Sequence, residues 1–129
     1  MTQIKQNALR ITTESADRSW TGVAAAWANL NGTGTIALRD SQNISGAVDN
    51  GTGNYTFNFS SNMAGANYSP SGGVGDTNGS AGHRIFALSN SAATAAVAVG
   101  SCRVISVYGV TNANFDAPYV CPTFHGGLA

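Results

Sequence analysis

Charged residues are scarce in this chain, and their signs are balanced. Only 9% of the residues are charged, against roughly 25% in an ordinary soluble domain. The chain has six Lys and Arg residues and six Asp and Glu residues, so it lacks a net field that would attract a charged partner. This balance argues against nucleic acid, an acidic membrane surface or an anionic substrate as a partner.

Long apolar runs and clustered metal ligands are also missing. No stretch reaches the about 18 apolar residues of a membrane-spanning helix, so we expect no membrane insertion. The N-terminal residues lack the apolar stretch of a secretory signal, which predicts no Sec-type export. His83 and His125 lie in different Gly-flanked segments. Since no further ligands stand at usable spacing, we expect no metal and no cofactor.

Cysteine is limited to two residues, Cys102 and Cys121, and neither has a C-x-x-C partner. Each lies in an apolar, strand-like segment, so a disulfide between neighbouring strands is geometrically possible. Two buried free thiols are the alternative, and the missing export signal favours them. The sequence leaves both alternatives open.

What the chain does have is a tetrapeptide, Asn-Gly-Thr-Gly, that occurs at residues 31–34 and again at residues 50–53. Apolar and polar residues alternate on both sides of each copy, which predicts two β-hairpins with the tetrapeptides as turns. The glycines that would permit the turn conformations are Gly32, Gly34, Gly51 and Gly53. A phosphate-binding loop is the rival interpretation, but it requires a helix to follow, and both copies precede strand patterns.

The strongest strand pattern is in residues 55–59, where Tyr55, Phe57 and Phe59 share one face of an extended segment. About eight short strands with tight turns predict an all-β fold, a single jelly-roll-like β-sandwich over residues 23–129. Residues 1–22 are then an N-terminal docking or assembly segment. Pro118 and Pro122 predict that the last strand lies at a sheet edge.

The acidic residues give no support to catalysis. Asp40, Asp49, Asp76 and Asp116 mostly border turns, where Asp is favoured for its backbone hydrogen bonds. The chain has no G-x-S-x-G nucleophile elbow. We therefore expect a protein that is not an enzyme and that acts by binding and assembly.

Three consecutive motifs carry a resemblance to a known family. They are AWANLNGTG at residues 26–34, IALRDSQNIS at residues 36–45 and DNGTGNYTFNF at residues 49–59. This order resembles a small β domain found at the ends of tailed-bacteriophage tail fibres and in related virion structural proteins. ANY at residues 66–68 and YVCPTFHG at residues 119–126 are similar to later strands of that family. The resemblance implies a trimeric, non-enzymatic virion protein, assembled in the bacterial cytoplasm, at or near the host-facing surface.

Within that resemblance, host attachment through a tail-fibre or receptor-binding subunit is the leading expectation. A capsid or tail decoration protein that stabilises the particle is the first alternative. A carbohydrate-binding module is the second. The expected partners are further copies of the chain, other virion proteins, and a host surface glycan or protein.

Residues 70–83 are rich in Gly, Ser and Pro and are predicted to form a long exposed loop. Such loops often carry the contacts of a rigid sandwich. The predicted host-contact residues are Tyr68, Asp76, Thr77, Asn78 and His83. A plain connector, or a contact to a neighbouring virion subunit, is the alternative for this segment. Trp27 lies on the strand face opposite Ala26 and Ala28, so one of these two faces belongs to the core and the other to an interface. Trp27, Tyr55, Phe57 and Phe59 are each predicted to be core or interface residues.

Overall fold

A computed structural model of the chain describes residues 8–9, 18–19, 23–79, 81–89 and 95–129. Two short strands, β1 (Ala8–Leu9) and β2 (Arg18–Ser19), pair with each other in an antiparallel two-stranded sheet. The rest of the predicted docking segment, residues 1–22, lies outside the described residues. Its role therefore stays a prediction.

Two larger antiparallel sheets form the body of the protein. The smaller sheet has the strand order β4-β3-β12-β7, with bounds β3 (Ala24–Asn31), β4 (Ala37–Gln42), β7 (Ser69–Gly75) and β12 (Tyr119–His125). The larger sheet contains β5 (Ile44–Asp49), β6 (Asn54–Phe59), β8 (Arg84–Leu88), β9 (Val97–Ala98), β10 (Ser101–Tyr108) and β11 (Ala113–Asn114). The described residues contain no helix, so the predicted all-β sandwich is confirmed.

Both predicted hairpins are present, but they belong to different sheets. The first joins β3 to β4 in the smaller sheet, and the second joins β5 to β6 in the larger one. The chain passes from one sheet to the other at Asn43, which has a left-handed φ of 55°. The side-chain amide of Asn43 accepts a hydrogen bond from Ser61 N and donates one to Ser61 O. These two bonds hold the crossing in place.

The core lies between the two sheets and follows the predicted alternation. Tyr55, Phe57 and Phe59 are at most 6% exposed, whereas the residues between them are only partly buried. Phe124, from the facing sheet, packs against Phe57 and Phe59 with ring centroids 6.3 and 5.2 Å away. The three β6 aromatics are thus core residues, as predicted, because period-two alternation places all of them on the inner face.

The prediction of a loop over residues 70–83 is wrong for its first half. Residues 69–75 form β7, which pairs along its whole length with β12, from Ser69 opposite His125 to Gly75 opposite Tyr119. The glycine-rich composition predicted a loop because glycine has a low strand propensity. In the structure, packing against neighbouring residues requires glycine in this strand. A Cβ on Gly72 would lie 2.8 Å from the Phe86 ring, so a larger residue would not fit beneath that ring.

The predicted edge position of the last strand is also wrong. β12 lies inside the smaller sheet, between β3 and β7. Pro122 is fully buried and stands opposite Gly72. On the side of β12 that faces β3, Val120 pairs with Leu30. The pairing with β3 resumes beyond Pro122, where Thr123 stands opposite Trp27. A proline without an N–H is tolerated in this inner strand because β12 is anchored on both sides of it.

Because the strands pair antiparallel, the connections between them lie at two opposite ends of the sandwich. The connections 32–36, 50–53, 76–83 and 109–118 lie at one end, which we call the turn end. The opposite end, which we call the base, holds the start of β3 and the final residues. There, Met63 bridges to Leu128, and Ala129 N donates to Asn62 O at 2.9 Å. The chain thus enters and leaves the sandwich at the base.

Candidate contact surface

Both copies of the repeated tetrapeptide meet the same segment at the turn end. From the first copy, Gly32 N donates to Ala117 O at 2.9 Å. From the second, Gly53 N donates to a carboxylate oxygen of Asp116 at 2.7 Å. Segment 115–117 leads from the larger sheet into β12 of the smaller one. The two turns therefore fasten the sheets together at this end, which gives the repetition a structural role.

Tyr55 completes this junction from inside the core. Its hydroxyl lies 3.1 Å from Gly32 O and 3.2 Å from the same Asp116 oxygen. Burial, followed by the nearby negative charge of Asp116, raises the pKa of Tyr55 well above its usual value. The phenol stays protonated at neutral pH and donates a hydrogen bond at the centre of the turn end.

In the described remainder of the predicted loop, residues 76–79 and 81–83, the second stretch is held against the turn that follows β10. Gly109 N donates to His83 O at 2.9 Å, and the Tyr108 hydroxyl donates to Ala81 O at 2.7 Å. Gly82 has a φ of 132°, and a Cβ there would lie 2.6 Å from a Val110 methyl. The segment is packed onto its neighbour, which differs from a plain flexible connector.

A cleft of about 180 Å³ opens beside this segment, lined by Asp76, Arg84, Tyr108 and Phe115. Arg84 Nε and one terminal nitrogen both donate to the same Asp76 oxygen, at 3.1 and 2.6 Å. The guanidinium carbon lies 4.4 Å from the Tyr108 ring centroid and 5.4 Å from that of Phe115. The side chains of Asp76 and Arg84 are only 13% and 12% exposed, so the cleft wall is fixed by its own contacts.

The charge pair controls the ionisation of this cleft. Hydrogen bonds from Arg84, then from the backbone N–H of Asn78, lower the pKa of Asp76 below its usual range. Asp76 is therefore ionised throughout the neutral range, and the pair carries no net charge.

Four of the five predicted contact residues lie at the turn end. Asp76 lines the cleft, while Thr77, Asn78 and His83 are exposed on the connection that flanks it. Tyr68 is at the base, because it precedes β7 whereas Asp76 follows it. At about 3.3 Å per strand residue, the two lie roughly 26 Å apart along the strand. The structure does not bring Tyr68 together with the others.

Tyr68 is a core residue, only 8% exposed. Its ring packs edge-on against Phe59 with centroids 5.7 Å apart. Its hydroxyl lies 3.0 Å from Ala98 O and 2.9 Å from Ser101 O, and burial raises its pKa. The ring has no free face for stacking on a sugar, so its place in the contact set is corrected to a packing role.

All four carboxylates in the described residues serve the backbone. The residues that donate an N–H to Asp40, Asp49, Asp76 and Asp116 are Ser41, Gly51, Asn78 and Gly53, respectively. Asp49 and Asp76 bond the residue two positions on and form turns, whereas Asp40 lies within β4 and Asp116 bonds the distant Gly53. The two histidines do not meet, since His83 lies at the turn end and His125 ends β12 at the base.

The outer face of the smaller sheet carries the predicted interface residue Trp27. Its indole N–H donates to the side-chain oxygen of Gln42 at 3.0 Å. At the turn end of the same sheet, the Arg39 guanidinium covers the Tyr119 ring at 4.5 Å and donates to Pro118 O at 2.5 Å. Trp27 therefore lies on the outward face and not in the core, and an interface role for it stays a prediction.

The two cysteines are free thiols. Cys102 faces the core from β10 of the larger sheet, whereas Cys121 lies in β12 of the smaller one. Burial raises the pKa of Cys102 to about 11, and burial also raises the pKa of Cys121. Both thiols are therefore protonated and poorly nucleophilic at neutral pH.

Sequence reasoning missed Arg84 and Phe115 as members of this surface. Arg84 directly follows the predicted loop and is one of the few cations in the chain, which is a usable signal. Phe115 carries no such signal, because its approach to Arg84 depends on pairing between β10 and β11.

Comparison with known proteins places no constraint on this surface: no protein family, curated protein or solved structure matches the chain. Across the described ranges, no helix is long and apolar enough to cross a membrane. In the same part of the chain, no three His, Cys, Asp or Glu side chains cluster as metal ligands.

Proposed function

We propose that this protein is a non-enzymatic bacteriophage virion subunit of the tail-fibre or receptor-binding type. The observation that carries the proposal is the separation of the two ends of the sandwich. We place attachment to a larger particle at the base, so that the turn end faces away. Four connections collect at that free end, and such connections are where rigid sandwiches present variable contacts.

The chemistry of the turn end supports binding over catalysis. Its carboxylates Asp49, Asp76 and Asp116 all accept backbone hydrogen bonds, and its exposed residues are mainly Thr, Asn and Gly. Val110 lies at this end and is 64% exposed. Among the large apolar residues that the structure describes within 23–129, it is the most exposed. A neutral surface with one apolar projection suits recognition of a host glycan or protein.

The trimer belongs to the same proposal. On the outer face of the larger sheet, Ile85 lies beside Val107 and Ala87 lies beside Ile105. Ile85 is 42% exposed. These four residues form an apolar patch, and burial of such patches drives the association of identical chains. We place the subunit contact on this patch, parallel to the axis that joins the base to the turn end.

Binding of the labelled protein to a panel of bacterial strains tests host attachment. We expect saturable binding to particular strains that Val110→Arg, at the turn end, reduces at least tenfold. Val99→Arg is the matched control, because Val99 is also an exposed turn valine but lies at the base. Equal binding by the two variants would contradict the assignment of the turn end. Binding to assembled particles but to no cells would favour the decoration alternative.

A further inference from the structure

The cleft lined by Asp76, Arg84, Tyr108 and Phe115 has hydrogen-bonding capacity beyond its internal contacts. A guanidinium has five N–H donors. Among the described residues, Arg84 uses Nε and one terminal nitrogen on Asp76, and one N–H on Gly82 O. Two donors remain, one on each terminal nitrogen of the guanidinium. A pair of neighbouring N–H donors matches two adjacent hydroxyl groups, each of which can accept a hydrogen bond.

The zero net charge of the Arg84–Asp76 pair disfavours ionic ligands. An anion that bound Arg84 would have to approach Asp76, which is already ionised and 2.6 Å from the guanidinium. A cation on Asp76 would meet Arg84 in the same way. Either ligand would leave one member of the pair without its partner in a half-enclosed site, which is costly. The pair therefore discriminates in favour of neutral ligands.

Aromatic rings supply the apolar part of the cleft. Tyr108 and Phe115 pack edge to face with centroids 6.5 Å apart and contribute their carbon surface to the lining. The volume of about 180 Å³ is many times the roughly 10–15 Å³ that one water molecule needs by the same measure, so the cleft has room for a ligand of about the size of one sugar ring. A pyranose has apolar C–H faces and hydroxyls at its rim, so it complements both parts of the lining.

We infer that the Arg84 cleft binds one ring of a neutral, hydroxyl-rich sugar. Two adjacent hydroxyls accept hydrogen bonds from the remaining N–H groups of Arg84, and the C–H surface lies against Tyr108 and Phe115. This inference rests on the proposed function, since it names the ligand class that the turn end recognises. Residues 81–83, which are bonded to the turn after β10, form the rim and orient the neighbouring sugar of a longer glycan.

Saturation-transfer NMR with single methyl glycosides tests the ligand class. The probes are the methyl glycosides of glucose, galactose and mannose, with the methyl glycoside of glucuronic acid as the anionic comparison. We expect transfer to at least one neutral glycoside, with at least tenfold weaker binding of the glucuronide. In the unmodified protein, the same titration should shift the backbone amide signals of Asn78 and Gly82. No transfer to any of the three neutral probes, or tighter binding of the glucuronide, would overturn the inference.

Two variants locate the site. Arg84→Gln removes the guanidinium, and Phe115→Leu removes the aromatic ring but keeps an apolar side chain. Each should weaken binding at least tenfold. Arg103→Gln is the control, because Arg103 bonds to Asn54 at 2.8 Å on the outer face of the larger sheet, away from the cleft. Unchanged binding in a folded Phe115→Leu protein would overturn the assignment. Cell binding that persists without sugar binding would overturn the inference alone and leave the proposed function standing.

Discussion

Gly34 and Gly53 occupy equivalent positions in the repeated tetrapeptide, with φ angles of 61° and 60°. Their surroundings differ. A Cβ on Gly34 would meet nothing within 4 Å, whereas a Cβ on Gly53 would lie 2.6 Å from Phe115 O and 2.8 Å from Ser106 O. The same tetrapeptide thus forms a turn with open space around Gly34 in the first hairpin. In the second hairpin it forms a turn that is wedged against the backbone of residues 106 and 115.

Substitution of these two glycines separates the energetic cost of backbone strain from the cost of steric overlap. Gly34→Ala should lower the free energy of unfolding by about 1 kcal/mol, the cost of a left-handed non-glycine residue. Gly53→Ala should lower it by about 3 kcal/mol, because the backbone of residues 106 and 115 must also move. Urea denaturation of the two variants measures the difference. Equal losses would show that the second turn is not wedged against segment 115–117.

The thiol of Cys102 and the phenols of Tyr55 and Tyr68 are buried in their protonated forms. Their burial makes the free energy of unfolding sensitive to high pH. The thiol of Cys102 has its pKa raised to about 11 by burial, while an unfolded cysteine ionises near ~8.5. The folded state therefore keeps a proton that the unfolded state releases. Stability from this group is complete below pH ~8.5 and declines as the pH rises through about 11.

Unfolding in urea at pH 7, 9 and 10.5 tests this expectation. The unmodified protein should lose stability as the pH rises, and Cys102→Ala should lose less than the unmodified protein over the same range. Cys121→Ala is the comparison, since Cys121 is less buried. A Cys102→Ala protein with an unchanged pH profile would assign the alkaline loss to the two tyrosines instead.

At the scale of elements, the sequence predicts a strand well where each residue type agrees with its environment. The β6 aromatics and both hairpin turns agree with theirs, so alternation and glycine placement were sufficient. β7 disagrees, because its composition is that of a loop and its strand conformation depends on pairing with β12 and on Phe86. The position of β12 was mispredicted for a related reason: the buried partner on each side of Pro122 is distant in sequence.

The candidate site follows the same rule. Asp76, Thr77, Asn78 and His83 were predicted as neighbours because they are close in sequence. Phe115 was not found, because sequence carries no record of which distant ring reaches Arg84. Tyr68 was wrongly grouped with Asp76, since a strand between them was taken for a loop.

Neighbouring glycines in β7 test whether this segment is a strand in solution. Gly72→Ala should destabilise the protein by about 1 to 3 kcal/mol, because its Cβ would overlap the Phe86 ring and Cys121 O. Gly73→Ala points into open space and should be neutral or stabilise by about 0.4 to 1 kcal/mol. Thermal melting compares the two. If both variants melt like the parent, residues 69–75 do not pair as the structure shows.

At the scale of the whole molecule, low charge and an exposed apolar patch predict a homotrimer. Light scattering at micromolar concentration should give three times the chain mass of 13.1 kDa. Ile85→Lys should shift the protein to monomer, because a charge buried at the patch has no partner. Val99→Lys, at the base, should leave the trimer intact. A stable monomeric parent protein would contradict the trimer.

The inner position of β12 has a consequence for biosynthesis. This strand follows all the others in the chain, yet β3 and β7 both depend on it as a neighbour. While the ribosome is still making the chain, each of those strands has an unpaired edge and part of the core is exposed. The sandwich therefore closes only after β12 has emerged. A nascent chain halted before that point would expose part of its core and would be a target for chaperones and proteases.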